Sequence, residues 1–147
     1  MLQEAAIAGL EESGRDVVDL RRAATPTIAR SVARHDADAG VSITASHNPA
    51  PDNGLKLWSP SGQAFDMEHR ERIADRIRSE EYAFAAWDRI GETTTDERAD
   101  RAHAAAIREP VGGPLDCSVV VDVGTGAGGV SVSALAALGR DVQTLNA

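Results

Sequence analysis

The sequence that decides the fold is GVSITASHNPAPDNGLK, residues 40–56, in which a short apolar run leads into a polar loop rich in proline. Residues 41–45 contain several β-branched side chains and predict a buried strand. The loop that follows carries Ser46 and His47, and the alternation in residues 55–58 (LKLW) predicts a second strand. The stretch therefore predicts two strands joined by a loop in which the polar side chains are concentrated.

The residues of this loop suit group-transfer chemistry. A serine becomes a useful nucleophile when an acid or base and a cation lie within reach. His47 and Asp52 are close in sequence to Ser46, and Lys56, the only lysine of the chain, follows on the next strand. Phosphoryl transfer in particular depends on positioning and positive charge. An ordinary polar turn, in which Ser46 and Asn48 bond backbone groups, fits the same spacing, so the spacing alone leaves both interpretations open.

The flanking sequence predicts an alternation of helices and strands, which assigns the chain to the α/β class. Thr25 and Pro26 predict the start of one helix, and the capping-box match between Thr94 and Glu97 predicts the start of another. The expected elements, in chain order, are a helix over 2–13, a strand over 16–20, a helix to about 35, strands over 41–45 and 55–58, helices over 66–78 and from 94 to 108, a strand over 117–123, a helix to about 138 and a strand over 142–145.

The run PVGGP at 110–114 predicts a domain boundary, because two prolines and two glycines interrupt any regular element. We therefore expect one domain over residues 1–110 and the start of a second over 111–147. A strand–loop–helix–strand unit of this length cannot cover both faces of a parallel sheet. The second domain is expected to be incomplete, with an open strand edge and an apolar surface that favour self-association.

Composition excludes several classes of function. The 147 residues contain 23 acidic and 15 basic side chains, for a net charge of −8, so no basic stripe is available for nucleic acid and none is expected as a partner. The sequence has no apolar run long enough to span a membrane and no basic segment at its start that is typical of a signal peptide. The single cysteine, Cys117, forms no internal disulfide and fits a reducing compartment. We expect a cytoplasmic protein.

The stretch GVSITASHNPAPDNGLK resembles the phosphoserine loop of the α-D-phosphohexomutases, the family of phosphoglucomutase, phosphomannomutase and phosphoglucosamine mutase. The segment DVVDLRRAATPT, residues 16–27, resembles the first domain of that family, and VVVDVGTGAGG, residues 119–129, resembles the start of its second domain. The resemblance implies a three-layer, mixed-sheet α/β domain of phosphohexomutase type, followed by the first β-α-β unit of a second such domain.

The resemblance also implies specific roles. Ser46 would carry a phosphoryl group, donate it to a phosphorylated hexose and take another back from the hexose bisphosphate intermediate. The phosphate on Ser46 would ligate Mg²⁺, with the other metal ligands supplied from elsewhere. Lys56 would act near the transferring proton or phosphate, and His47 would serve as an acid or base or as a hydrogen-bond donor to phosphate. The implied reaction interconverts hexose 1-phosphate and hexose 6-phosphate.

The sequence departs from the family pattern in ways that affect activity. The opening Gly-Thr-Ser-Gly-Ile-Arg-Gly-like strand, the Asp-Gly-Asp-x-Asp-Arg metal loop, the sugar-recognition loop and the distal phosphate-binding domain do not occur in these 147 residues. We therefore expect a fragment that is inactive as a mutase on its own.

Two other interpretations remain open at this point. The run from Val119 to Gly128 also resembles the first motif of S-adenosylmethionine-dependent methyltransferases, whose glycines let a ligand approach a helix N-terminus. Against this, residues 142–146 (VQTLN) contain no acid that could hold a ribose. The chain could also serve as a non-catalytic interaction module, for which the incomplete second sheet is the main argument.

Overall fold

The computed structural model describes residues 1–49, 51–139 and 141–147, and it confirms a mixed α/β architecture. Helices and strands alternate along most of the chain, as the sequence predicts. The elements are α1 (Leu2–Glu12), β1 (Val17–Asp19), α2 (Thr25–Arg34), β2 (Gly40–Ile43), β3 (Leu55–Trp58), α3 (Met67–Ser79), β4 (Thr93–Thr95), α4 (Ala99–Arg108), β5 (Val119–Asp122), α5 (Gly129–Ala137) and β6 (Val142–Leu145).

Within these described ranges, the strands form three small sheets of two strands each. Strands β1 and β4 are parallel, β2 and β3 are antiparallel, and β5 and β6 are parallel. Helix α1 packs beside β1, and α2 packs beside β2. The combination of parallel and antiparallel pairs is the mixed-sheet character expected from the sequence. No helix in the described ranges has both the length and the apolar content needed to cross a bilayer.

The β2–β3 hairpin is stabilised by close packing at Gly40 and by a partly buried hydrogen bond between its two strands. A side chain at Gly40 would place its Cβ 2.5 Å from Cγ2 of Val32 on α2, so only glycine allows this approach. The indole Nε1 of Trp58 donates a 2.8 Å hydrogen bond to Oγ of Ser42, which is 2% exposed. Strand β2 ends at Ile43, so it is shorter than the strand predicted over 41–45. It is also not buried throughout, as the sequence predicted, because Ile43 is 36% exposed.

Strand β4 corrects the predicted capping box. Thr94 lies inside this strand, in register with Val18, and α4 begins only at Ala99. The backbone N–H of Asp96 donates to the carbonyl of Asp19, and these parallel-strand bonds compete successfully with helix initiation. Three consecutive threonines suit a strand because their β-branched side chains favour extended backbone. The carboxylate of Asp96 then accepts from the Arg98 N–H and stabilises the turn into α4.

The two other predicted helix starts have different outcomes. The N-cap of α2 is Ala24, not Thr25, which is the first helical residue. Helix α3 begins after Asp66 as predicted, and the Asp66 carboxylate accepts a 2.9 Å hydrogen bond from the His69 N–H. This bond, followed by the side-chain bond from His69, lowers the pKa of Asp66 because both stabilise the charged carboxylate.

The buried contact between α4 and α5 gives a stability prediction. Ala104, Val130 and Ala134 form a cluster in which Ala134 is 2% exposed. Ala134→Leu is expected to lower the free energy of unfolding by about 1–3 kcal/mol, because extra methylene groups in a packed interface force neighbouring side chains apart. Urea denaturation measures this change. The control Ala136→Leu, on the exposed side of the same helix, should leave the unfolding midpoint nearly unchanged; equal effects would contradict the packing.

A histidine between α2 and α4 gives a pH prediction. His103 Nδ1 lies 2.8 Å from Oγ1 of the fully buried Thr27, and burial, reinforced by Arg30 and opposed by Asp100, lowers the His103 pKa. The unfolded chain therefore binds a proton at higher pH than the folded chain does. Stability should fall as the pH drops below the ordinary histidine value of about 6.5. Urea midpoints between pH 7.5 and pH 5.5 should decline more steeply in the wild type than in His103→Asn, and equal slopes would contradict this.

Candidate active site

The polar loop between β2 and β3 is closed at its base by the backbone. The N–H of Thr44 donates a 2.9 Å hydrogen bond to the carbonyl of Gly54, which extends the hairpin pairing by one residue on each side. A Cβ at Gly54 would lie 3.1 Å from the Thr44 carbonyl oxygen, so glycine allows the two strands to meet here. The loop therefore leaves the sheet from a narrow, fixed base.

Ser46 stands at the start of this loop in an uncommon backbone conformation. Its φ angle is +57°, in the left-handed region that non-glycine residues seldom occupy. The Ser46 N–H donates a 3.1 Å hydrogen bond to Oγ1 of Thr44, which helps to hold the conformation. Such strained residues concentrate at functional sites, where the surrounding structure sustains them. The side chain of Ser46 is exposed, so its hydroxyl is accessible to a substrate.

The structure brings Ser46 and His47 together. Oγ of Ser46 lies 3.3 Å from Nδ1 of His47, and both residues are exposed. An imidazole at this distance can accept the hydroxyl proton or donate a hydrogen bond to a group carried on Oγ. This arrangement is the minimum that acid–base assistance to a serine requires.

Successive turns define the rest of the loop. The Asn48 N–H donates to the carbonyl of Ala45 at 3.1 Å, and the Asp52 N–H donates to the carbonyl of Pro49 at 2.9 Å. The amide of Asn53 donates to the carbonyl of Pro51 at 3.3 Å. The two prolines also fix their own φ angles, which reduces the conformational entropy that the loop must lose on ordering.

Among the described residues, the side-chain contact of Lys56 is with Trp58 and not with the Ser46–His47 pair. Lys56 stands opposite Ser42 in the hairpin register, and its Nζ is 5.9 Å from the centroid of the Trp58 ring. This distance is within the range of a cation–π contact. Within the described ranges, Lys56 makes no side-chain hydrogen bond or ion pair with Ser46 or His47. Of the three candidate catalytic residues, Ser46 and His47 are therefore in contact with each other, and Lys56 contacts Trp58 instead.

Two arginines that the sequence reasoning did not select lie near the base of the loop. Arg21 and Arg22 follow β1 and line a cavity of about 600 Å³ that Thr44 also lines. Arg21 pairs with Asp19 at 3.3 Å and reaches Oγ1 of Thr95 at 3.5 Å. The sequence offers a signal for this pair, since two adjacent arginines follow the predicted strand over 16–20. Ligands in α/β proteins commonly bind beyond the carboxyl ends of strands, so such a pair is a candidate for ligand binding.

The residues present do not form a magnesium site by themselves. Within 1–49, 51–139 and 141–147, no group of three His, Cys, Asp or Glu side chains is placed to hold a metal ion. Mg²⁺ requires near-octahedral oxygen coordination, and Ser46 offers at most one ligand through a phosphate on its hydroxyl. The described residues by themselves therefore offer too few ligands for Mg²⁺.

The glycine-rich loop after β5 is stabilised by its own side chains. The carboxylate oxygen Oδ1 of Asp122 accepts from the Gly124 N–H and from the Asn146 amide, each at 3.0 Å. The Thr125 N–H donates to the carbonyl of Asn146 at 2.6 Å. These bonds join the ends of β5 and β6, which is a structural role for the motif.

Comparison with known proteins identifies the family. Residues 1–84 match the family model described as "Phosphoglucomutase/phosphomannomutase, alpha/beta/alpha domain I", which covers more than half of the chain and includes the Ser46 loop. The chain belongs to the phosphoglucomutase/phosphomannomutase family. The resemblance inferred from the loop sequence is thereby confirmed.

Relatives extend the match through the remaining residues. The chain is 42% identical over 147 residues to the "probable phosphoglucosamine mutase" of Methanococcoides burtonii, covering 99% of this chain and 33% of the relative. It is 40% identical to the protein of the same description from Methanosarcina barkeri, covering 100% of this chain and 33% of that relative. The chain thus spans about one third of the length of these relatives. Because the match includes residues 111–147, it favours the mutase over the methyltransferase interpretation of the glycine-rich loop.

A solved structure supports the fold. A phosphoglucomutase/phosphomannomutase family protein from Burkholderia thailandensis superposes with a TM-score of 0.80, at 24% identity, over 99% of this chain and 32% of that protein. Similarity at this level of identity concerns the fold alone. It confirms the family's α/β architecture for the described residues.

Proposed function

We propose that this chain supplies the phosphate-carrying part of a phosphohexomutase, which interconverts hexose 1-phosphate and hexose 6-phosphate through a phosphoserine at Ser46. The observation that carries the proposal is the Ser46 hydroxyl, exposed in a strained conformation on a closed loop and 3.3 Å from His47. The named relatives make glucosamine phosphate the first hexose phosphate to test.

In the proposed cycle, the bond between phosphorus and Oγ of phosphorylated Ser46 breaks as a bond forms to a sugar hydroxyl oxygen. The sugar hydroxyl loses its proton to a base, and Oγ of Ser46 becomes a free hydroxyl after protonation. The hexose bisphosphate then reorients, and the bond between its other phosphorus and the sugar oxygen breaks as a bond forms to Oγ. The Ser46 hydroxyl loses its proton to a base, and the released sugar oxygen is protonated. Since the imidazole of His47 contacts this oxygen, it is the nearest described group that can exchange a proton there.

Lys56 is a proposed third catalytic residue, placed near the transferring phosphate by a change of rotamer. Its contact with Trp58 holds the ammonium over the ring, and its exposed, flexible side chain leaves that position at small cost. When bound, Mg²⁺ would neutralise phosphate charge, with Ser46 phosphate as one ligand and the remaining ligands from residues outside this chain.

The domain division and cellular context are part of the proposal. Residues 1–110 form a partial first domain and 111–147 the start of a second, although α4 and α5 pack closely across that boundary. The protein works in the cytoplasm on phosphorylated sugars, without nucleic acid or membrane as partner. Self-association through the open edges of the β5–β6 pair is a further expectation.

Phosphopeptide mapping tests the proposal. These 147 residues, joined to the remaining two thirds of the Methanococcoides burtonii relative, are incubated with Mg²⁺ and either glucosamine 1,6-bisphosphate or glucose 1,6-bisphosphate, digested and analysed by mass spectrometry. We expect phosphate on Ser46, loss of this label in Ser46→Ala, and unchanged labelling in the control Ser61→Ala, which replaces another exposed serine. Phosphate on Ser42, or equal labelling of Ser46→Ala, would overturn the assignment.

A further inference from the structure

The polar loop between β2 and β3 begins with a tight turn that contains Ser46. The Asn48 N–H donates a 3.1 Å hydrogen bond to the carbonyl of Ala45, so Ser46 and His47 are the two central residues of this turn. Turns with a positive φ at the first central residue favour glycine, asparagine or aspartate there, yet this position is Ser46, with φ +57°. A serine in this conformation is strained and needs support from its surroundings.

The side chain of Thr44 provides this support. Its Oγ1 accepts the 3.1 Å hydrogen bond from the Ser46 N–H. Threonine hydroxyls commonly bond the backbone two residues further along the chain and so stabilise turns. The strain of one left-handed residue and the net stabilisation from one hydrogen bond are of the same order of magnitude. Loss of the Thr44 hydroxyl is therefore enough to let Ser46 leave the left-handed region.

Thr44 is itself held by the ordered end of the hairpin. Its N–H donates a 2.9 Å hydrogen bond to the carbonyl of Gly54, and its carbonyl oxygen lies against the Gly54 backbone closely enough that a Cβ there would be 3.1 Å away. Thr44 is half-buried, whereas Ser46 and His47 are exposed. Because threonine is β-branched, its χ1 angle is also restricted. The Thr44 hydroxyl therefore connects an ordered strand end to an exposed turn.

We propose that Thr44 is a positioning residue for phosphoryl transfer, whose hydroxyl holds the turn in the form that places Oγ of Ser46 3.3 Å from Nδ1 of His47. This inference rests on the proposed function of Ser46. Rotation of Ser46 to an ordinary negative φ would swing its side chain relative to the hairpin and break the alignment with His47. Alignment of the reacting groups supplies part of the rate of such reactions. Because Thr44 acts through Ser46, its loss lowers turnover and leaves substrate binding unchanged.

Two substitutions of Thr44 test the role of its hydroxyl. Thr44→Val keeps the branched shape but removes the acceptor, whereas Thr44→Ser keeps the acceptor. In the joined enzyme of the labelling test, Thr44→Val should lower kcat for glucosamine 1-phosphate by about 5- to 30-fold, the population change expected when one hydrogen bond is lost, and KM should stay within about twofold. Thr44→Ser should keep kcat within about twofold of the wild type. The control Thr94→Val, at an exposed position of β4, should change neither constant.

Hydrogen exchange at the Ser46 amide separates this inference from the proposed function. Measured by NMR on the 147-residue chain, this amide should exchange at least about threefold faster in Thr44→Val than in the wild type or Thr44→Ser. Unchanged exchange or unchanged kcat in Thr44→Val, a loss confined to KM, or a Thr44→Ser enzyme as slow as Thr44→Val would overturn the positioning role. Full turnover in Ser46→Ala would instead overturn the phosphoserine proposal and this inference with it, and the exchange measurement does not depend on that outcome.

Discussion

Ser46→Ala is expected to reduce mutase turnover by at least about 10⁴-fold in an enzyme that contains this chain, because loss of a covalent nucleophile removes the intermediate itself. The enzyme for this test joins these 147 residues to the remaining two thirds of the Methanococcoides burtonii relative, with which they share 42% identity. The measurement is the steady-state rate of interconversion of glucosamine 1-phosphate and glucosamine 6-phosphate. In the proposed cycle, Oγ of Ser46 is the atom that carries phosphate between the two sugar positions.

Two further variants show that the loss is specific. His47→Asn keeps a hydrogen-bonding side chain beside Ser46 but removes the titrating imidazole, and a loss of about 10²–10⁴-fold is expected from acid–base catalysis. Ser61→Ala removes an exposed hydroxyl that bonds only Ser59 among the described residues, so turnover should be unchanged. A Ser46→Ala enzyme within tenfold of the wild type would contradict the phosphoserine assignment.

The part of the structure that the sequence predicts well is local. The hairpin arms and the loop between them depend on residues close together in the chain, as the bonds of Ser46 to Thr44 and His47 illustrate. The start of α3 is likewise determined within one helical turn, since Asp66 bonds the N–H of His69. In such cases the side chain and its partner lie in the same short window, and pattern and propensity point to one answer.

The capping-box prediction is wrong because a distant partner decides. Thr94 and Glu97 fit a capping box, but β4 forms because β1, far away in the sequence, offers a parallel backbone edge. Spacing also does not reveal that α4 packs against α5 across the proline- and glycine-rich segment at 110–114. The domain division at that segment stays a prediction.

The second large expected effect concerns the chain by itself: the isolated 147 residues should show no sustained mutase turnover, whereas the joined enzyme should turn over. The described residues provide the proposed phosphate-carrying loop but no group of three His, Cys, Asp or Glu side chains placed to hold a metal ion. The chain also spans only about one third of the length of its relatives, whereas the proposed cycle needs a substrate held in two orientations.

The size of this effect follows from how phosphoryl transfer is accelerated. Fixed charges and donors around the moving group supply most of the rate, and removal of even one oxyanion donor commonly costs about 10²–10³-fold in kcat. Losses from several missing groups combine into a rate below detection. A coupled assay of the isolated chain with Mg²⁺, a hexose bisphosphate and glucosamine, glucose or mannose 1-phosphate measures the result. Sustained conversion that disappears in Ser46→Ala would contradict the prediction and would mean that copies of this chain assemble a complete site.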